Sequence, residues 1–444
     1  MDAQTELRIA QAEPVKIGEV ELGKPLEAID VSHPAGGCYK HMNLLVRLHS
    51  QPLGLVELNL SGQVILPQDY LPPVWAKLGD AINEHLRRDG LEEVNELSAG
   101  GLPPINASLR CERDRAAVLD DAPRVSVIVP TRDRADMLRN SLNALLKQDY
   151  PNFEILVIDN APKSSATADL VQKEFADDDR VIYLREDRPG VSWARNRGLK
   201  HAQGEFVAFT DDDAITDRLW LVEIVRTFNS EANIGAVTGL ALPAELETPA
   251  QLFFEQFSGF NKGKGYQTTV YHKNDRAKYG PLYPYLPAKF GSGVNMAFRA
   301  EVIRKVGAFD PVFVNGQDCE MMYRVVMAGY TLVYEPAALI WHYHRRDVTG
   351  LEKQLYGYGT ALTAFLLKII LTRPLRFFDL LSRIPYAFAY LVNPRSERNQ
   401  RKTVEFPRRL TFAEIGGMLL GPIVYFQHKR EMNRVIKKFG SLEL

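Results

Sequence analysis

Three consecutive aspartates, Asp211-Asp212-Asp213, close the apolar run Phe206-Val207-Ala208-Phe209. Neighbouring carboxylates repel one another unless something positive sits among them. A divalent cation is the economical answer, because Mg2+ and Mn2+ take carboxylate oxygens, commonly one or two together with substrate phosphates. The chain holds a second such run, Asp177-Asp178-Asp179, between a helical segment and a strand start, where a solvated loop is the simpler reading. Position separates the two, since only 211–213 falls at the C-terminal end of a predicted core strand. Asp159 ends another apolar run in the same way, and a carboxylate there can accept from a base N–H or a ribose hydroxyl. Residues 190–198 open a helix: Gly190 permits close backbone approach, a helix start favours anions, and Arg195 and Arg197 carry charge that suits a diphosphate. Asp318 stands at the head of the helical run 321–328 and is a candidate general base, a role that needs it within about 3 Å of the proton it removes. His342 and His344 face the same side of an extended chain, so one of them could share a cation with 211–213. Each feature also has an ordinary reading: a turn carboxylate, a charged helix start, surface histidines.

The elements that must position these groups alternate. Apolar strands are expected near 125–129, 153–158, 181–184 and 205–210, and helices near 136–147, 166–175 and 192–202. Near-continuous apolar strands between helices argue a buried parallel sheet covered on both faces. Ligands in such sheets bind beyond the carboxyl ends of the strands, which puts Pro130-Thr131-Arg132, Asp159 and the 211–213 run along one edge. Before this region, residues 43–49 and 53–60 alternate like strands, Ser61-Gly62 is a turn signal, and 73–88 has helical periodicity. Residues 1–100 thus read as a small α+β domain and 101–123 as a linker, with the α/β domain over 124–348 and a helical extension over 349–444.

The 444 residues are too many for one ordinary core, and their composition is that of a soluble globular protein. Net charge is −1, so the chain as a whole has no pull on nucleic acid. Charge is uneven, however: residues 345–444 carry 18 Lys+Arg against 8 Asp+Glu, a net of +10. Cys38, Cys111 and Cys319 are widely spaced with no CxxC pair, which supports neither a disulfide framework nor a zinc site and fits a reducing, cytoplasmic compartment. Residues 1–14 are polar, with no apolar signal core, and no run reaches the roughly 18 to 20 apolar residues that span a bilayer.

Taken together, the segments over 124–348 resemble glycosyltransferase family 2. The run Val125-Ser-Val-Ile-Val-Pro130-Thr131-Arg132-Asp-Arg134 looks like the family's first strand and nucleotide loop. Asp159 sits where the family binds the base, and residues 194–198 resemble the helix start before the metal motif. Phe209-Thr-Asp211-Asp212-Asp213 resembles the D-x-D motif, residues 290–299 the acceptor-side loop, 309–324 the acidic segment containing the base, and Trp341-His342 the histidine that joins the metal in some members. The resemblance implies a GT-A fold, a mixed and mostly parallel sheet flanked by helices. It also implies inverting transfer of a sugar from a nucleotide-diphosphate donor to a hydroxyl acceptor, with a divalent metal (Mn2+ or Mg2+). The implied roles are Asp318 as base; Pro130, Thr131, Arg132, Arg134, Asp159, Arg195, Asp211 and Asp212 around the donor; Asp213, His342 and His344 at the metal; and Gly293, Asn295 and Gln317 toward the acceptor. Gln317 departs from the family, which usually has Glu there, but the base role falls on Asp318.

Two other readings compete. A sugar nucleotidyltransferase needs a glycine-rich phosphate loop after the first strand, and 130–134 has no glycine. An inactive scaffold is favoured by loss of the acidic run or of Asp318, and both are present. Basic residues beside short apolar segments in 350–444 suit the surface of an anionic membrane, which would hold the chain peripherally on the inner face of the cell membrane beside a glycan or lipid-linked acceptor in envelope synthesis; a packed extension or dimer interface is the alternative. Residues 240–290, rich in Tyr, Lys and Gly, are expected to shape the acceptor pocket.

Overall fold

A computed structural model of the chain describes residues 13–102, 109–400, 402 and 406–441. Near the N-terminus a three-stranded sheet is built from β1 (Val15–Glu21), β3 (His41–Leu48) and β4 (Gln51–Asn59), with β1 parallel and β4 antiparallel to β3. The short strands β2 (Ile29–Asp30) and β5 (Val64–Ile65) pair beside it. The helix Pro67–Arg88 packs Tyr70, Val74, Leu78 and Ile82 on this sheet, which gives the region its own core. It starts six residues before the expected 73, because the Asp69 carboxylate accepts from the Leu66 N–H and secures a first turn upstream of Pro72-Pro73. The expected linker is not extended throughout: Arg110–Asp120 is a helix. Arg115 on it is buried and reaches Glu223 at 2.6 Å on the helix Trp220–Ser230.

The central sheet holds β6 (Val125–Thr131), β7 (Phe153–Asn160), β8 (Val181–Glu186), β9 (Phe206–Thr210), β10 (Ala214–Thr216), β11 (Ile234–Pro243), β12 (Thr269–Tyr271), β13 (Asn295–Arg299) and β14 (Thr331–His342). Their order is β10-β14-β11-β13-β9-β6-β7-β8, with β12 on the far side of β14 along part of its length. Strands β6, β7, β8, β9, β11 and β14 run one way, and β10, β12 and β13 run against them. The sheet is therefore mixed and mostly parallel. Strands β7, β9 and β11 are buried at every residue, and hydrophobic clusters cover both faces.

The C-terminal region is two long helices, Val348–Thr372 and Arg408–Phe439, joined by shorter ones that include Arg376–Leu381 and Ile384–Val392. The long pair are continuous where the sequence showed only short apolar stretches. Both reach the length and apolarity of a membrane span, yet 39% and 28% of their most apolar windows are buried inside the protein. Lys368, in the first, is neutralised by Asp310 at 2.7 Å and Glu320 at 2.8 Å. The two backbones pack at glycine contacts: a Cβ on Gly359 would lie 2.0 Å from the Glu414 carbonyl, and one on Gly417 2.2 Å from that of Tyr356. Only glycine allows that approach.

Candidate active site

The strand ends meet at a cavity of about 1360 Å³, lined by residues from 130–134, 211–213, 291–294, 314–319 and 342–347 and by the C-terminal helices. Register explains how the acidic run meets the histidines. Strand β10 pairs antiparallel to β14 with Ala214 opposite His342, and the Tyr343 N–H donates to the Asp213 carbonyl at 2.9 Å. Asp213 therefore lies beside the imidazole, with His342 Nε2 3.0 Å from its Oδ1. Asp213 Oδ2 accepts from Arg134 Nη2 at 2.8 Å. Burial alone would raise the Asp213 pKa, but His342 and Arg134 overcome it and hold the carboxyl well below its usual range. Burial likewise would lower His342, and Asp213 overcomes it and raises it.

Asp212 is 4% exposed and turns the other way, accepting from the Thr131 hydroxyl and from Arg134 Nη1, each at 2.7 Å. Burial pushes its pKa up to about 7 against the pull of Arg134. Asp211 is raised by burial, with Arg195 opposing. Its nearest cation is Arg195 Nη2, at 3.4 Å. Ligand atoms of Asp211, Asp213 and His342 all lie within 4.8 Å of one another, a group that fits one hard dication by donor type and spacing.

Arg195 is buried against the rings of Phe209 and Phe309. Its Nη2 donates to the Gly293 carbonyl at 3.0 Å, while Nε and Nη1 have no hydrogen-bond partner. Such a cation, fixed but half-satisfied, is suited to an anion. The Gly293 N–H donates to Asp318 Oδ2 at 2.6 Å. A Cβ on Gly293 would stand 2.9 Å from Arg195 Nη2 and 3.0 Å from Asp318 Oδ2, so a glycine is what lets the two flank one point. Asp318 heads the helix Gln317–Met327, whose N-cap Gly316 has φ 75. Gln317 lines the cavity, with a buried Oε1 that has no partner. Pro130 and Arg132 line it at the end of β6, and Asp133, at φ 54, shapes the turn by accepting the Lys163 N–H.

Some expected site residues lie elsewhere. Asn295 is corrected: it is 1% exposed and its amide is spent on structure. Its Nδ2 donates to the carbonyls of Leu240 and Ala338, and its Oδ1 accepts from Trp220 Nε1, so it fastens β13 beneath the cavity. His344 lies beside His342, with 3.1 Å between the Nδ1 atoms, but its Nε2 engages Glu255 at 2.8 Å. It stands outside the three-residue group, and burial lowers its pKa. Asp159 is fully buried behind the cavity rim, accepting the Tyr183 hydroxyl at 2.9 Å, and burial raises its pKa. Arg197 does not line the cavity, although Arg195 does. Residues the sequence did not single out include Glu255, Phe260, which packs edge-on to His342, and Lys262, whose pKa burial pulls down to about 8. They fall within 240–290, where no motif separates site from scaffold.

Residues 126–307 match the family described as Glycosyl transferase family 2. The chain is 25% identical over 239 residues to the pre-mycofactocin glycosyltransferase of Mycobacterium tuberculosis, covering 53% of this chain and 47% of that protein. It is 27% identical over 236 residues to the glycosyltransferase AglE of Haloferax volcanii, covering 52% of this chain and 71% of that one. It thus spans about half the length of the first of these relatives. Among solved structures, the mannosyltransferase PcManGT from Pyrobaculum calidifontis, in complex with GDP-Man and Mn2+, aligns with a TM-score of 0.43 at 21% identity, over 71% of this chain and 85% of that one.

Proposed function

We propose that the chain, whose residues 126–307 match Glycosyl transferase family 2, moves a sugar from a nucleotide-diphosphate donor to a hydroxyl of a lipid-linked acceptor, with inversion, in cell-envelope glycan synthesis. One observation carries the reading: the hard-cation group and Asp318 open on the same cavity, with Arg195 and Gly293 between them.

Asp211, Asp213 and His342 would hold a Mn2+ or Mg2+ ion, which supplies charge neutralisation to the diphosphate leaving group. Before the donor enters, Arg134 and His342 neutralise Asp213. With such an ion bound, His342 would ligate as the neutral imidazole, and Arg134, beside Thr131 and Arg132, would be positioned to meet the phosphates. Arg195 offers its unpaired Nε and Nη1 to the same charge. The 130–132 turn faces the nucleoside, with Asp159 buried behind it and bonded to Tyr183. Asp318 takes the proton of the acceptor hydroxyl as that oxygen attacks the anomeric carbon, a task for a carboxylate held by one backbone N–H with its other oxygen available.

The acceptor end supports a lipid. Past Asp318 the cavity wall becomes apolar, through Leu366, Ile370, Phe377, Leu380 and Ile384. Helices Arg376–Leu381 and Ile384–Val392 bury no residue at all, and Leu375, Phe378, Phe388, Phe412 and Leu419 stand in solvent. An exposed apolar surface of this kind within a region of net +10 suits the face of an anionic bilayer, with the chain lying on the cytoplasmic leaflet. The test is transfer from a panel of nucleotide sugars to a polyprenyl-phosphate-linked acceptor with Mn2+, on the wild type, Asp213→Ala and Asp318→Asn. Loss of turnover in both variants is expected; undiminished turnover in both would sink the site.

A further inference from the structure

A second cluster of metal-ligating side chains lies outside the cavity lining, where the N-terminal sheet, its helix and the linker helix meet. His49 sits in the two-residue turn between β3 and β4, in the left-handed region at φ 51. His85 and Asp89 are one helical turn apart at the end of Pro67–Arg88, a spacing that puts both on one face. Cys111 is in the first turn of Arg110–Asp120. Their donor atoms converge. Asp89 Oδ2 lies 2.8 Å from His49 Nδ1, 3.2 Å from His85 Nε2 and 3.0 Å from Cys111 Sγ, and the two imidazole nitrogens are 3.1 Å apart. All four atoms fall within 4.8 Å of one another. The side chains of His49, His85 and Asp89 are 4%, 10% and 3% exposed.

We propose that His49, His85, Asp89 and Cys111 bind one transition-metal dication, zinc by preference, and that the ion fastens the N-terminal sheet to the linker helix. Hydrogen bonds serve this cluster poorly. The two facing imidazole nitrogens have room for one proton between them, and Asp89 Oδ2 competes for it. One cation satisfies all four donors together. The donor set of two imidazoles, a thiolate and a carboxylate is one that zinc accepts, whereas Mg2+ and Mn2+ prefer oxygen. Charge balances as well: the dication, the Asp89 carboxylate and a Cys111 thiolate sum to zero, and the thiol proton leaves to solvent on binding. Neutrality matters here, because Arg115, donating to the His49 carbonyl at 2.7 Å, is already committed to Glu223. Four protein ligands close a tetrahedron and leave no position for a substrate, so the ion is structural. Through Arg115 and Glu223 it braces the catalytic domain.

The experiment uses the full chain, depleted with a strong chelator and reloaded with zinc or cobalt. Expected results are one zinc per chain retained through dialysis, a thiolate-to-cobalt charge-transfer band, and a Tm raised by more than about 5 °C on reloading. The band should persist in Asp213→Ala, whose lost ligand belongs to the other group, and vanish in Cys111→Ser. A wild-type readout covers the case of a variant that does not fold: zinc should shield Cys111 from a thiol-alkylating reagent, with the modified residue located by peptide mapping. Equal alkylation of Cys111 with and without zinc, or a cobalt band that survives in Cys111→Ser, overturns the proposal.

Discussion

Asp177-Asp178-Asp179 and Asp211-Asp212-Asp213 are identical in composition and lie only 34 positions apart, yet they share almost nothing in their surroundings. The first follows the helix Ala166–Glu174 in a turn, and Asp178 is satisfied by Arg180 two residues on, at 2.7 Å. Its environment is local and mostly solvated. The second is answered by Thr131, Arg134, Arg195 and His342, from three other segments. Carboxylates brought together by a sheet edge cannot shed their repulsion into water and must be neutralised by groups that the whole fold supplies. Remote partners, more than the number of charges, separate a site from a loop.

The largest expected effect tests that contrast directly. Asp213→Ala should lower kcat/KM by ~10³-fold in the Mn2+-dependent assay, because it removes stabilisation of charge that develops on the leaving group. Asp178→Ala should leave the rate within about twofold and Tm nearly unchanged, as for an exposed ion pair. Next in size is Gly293→Ala. Its methyl would press on Arg195 and Asp318 together, and a displacement of a catalytic group of that order costs ~10²-fold, read as a fall in kcat with the fold intact by circular dichroism. Smaller again, Phe378→Glu should cut cosedimentation with anionic vesicles by ~10-fold while sparing transfer to a short soluble acceptor; equal cosedimentation would reject the lipid-facing surface.

The smallest effect concerns burial with no answering charge. Lys264 Nζ stands over the Tyr334 ring with no hydrogen-bond partner, and burial lowers its pKa to about 7. Between that value and the ordinary 10.5 the unfolded chain holds a proton the folded chain lacks. Stability contributed at this position is therefore lost as pH falls from about 10 to 7. Lys264→Met should raise Tm by ~2–4 °C at pH 7, with the gain shrinking toward pH 10 in thermal melts.

Much of the half around the acidic run could be read in the sequence. Strands β6, β7 and β9 are continuous apolar runs ending in polar residues, so their carboxyl ends declared themselves, and with them Thr131, Asp159 and 211–213. The antiparallel β13 between β9 and β11 could not be read, because apolar pattern does not fix pairing order. Asn295 was misplaced for a related reason: a buried asparagine bonding two carbonyls looks, along the chain, the same as one facing a ligand. Lys368 broke an apolar stretch on paper, whereas its partners Asp310 and Glu320 hold it in a continuous helix. The cluster at His49, His85, Asp89 and Cys111 left no spacing signature, since its donors come from three elements and only one pair is close in sequence.

The glycine contacts between the two long C-terminal helices have a mechanical consequence. Backbones that touch at Gly359 and Gly417 can neither slide nor roll without collision, and the far end of the second helix is moored where the Gly440 carbonyl accepts from Arg188, beside the loop that opens the helix Val191–His201 carrying Arg195. The apolar wall that these helices give the cavity is thus braced against the sheet domain and not left to swing. If the chain uses a lipid-linked acceptor as proposed, a wall braced in this way would limit the girth of the chain it admits.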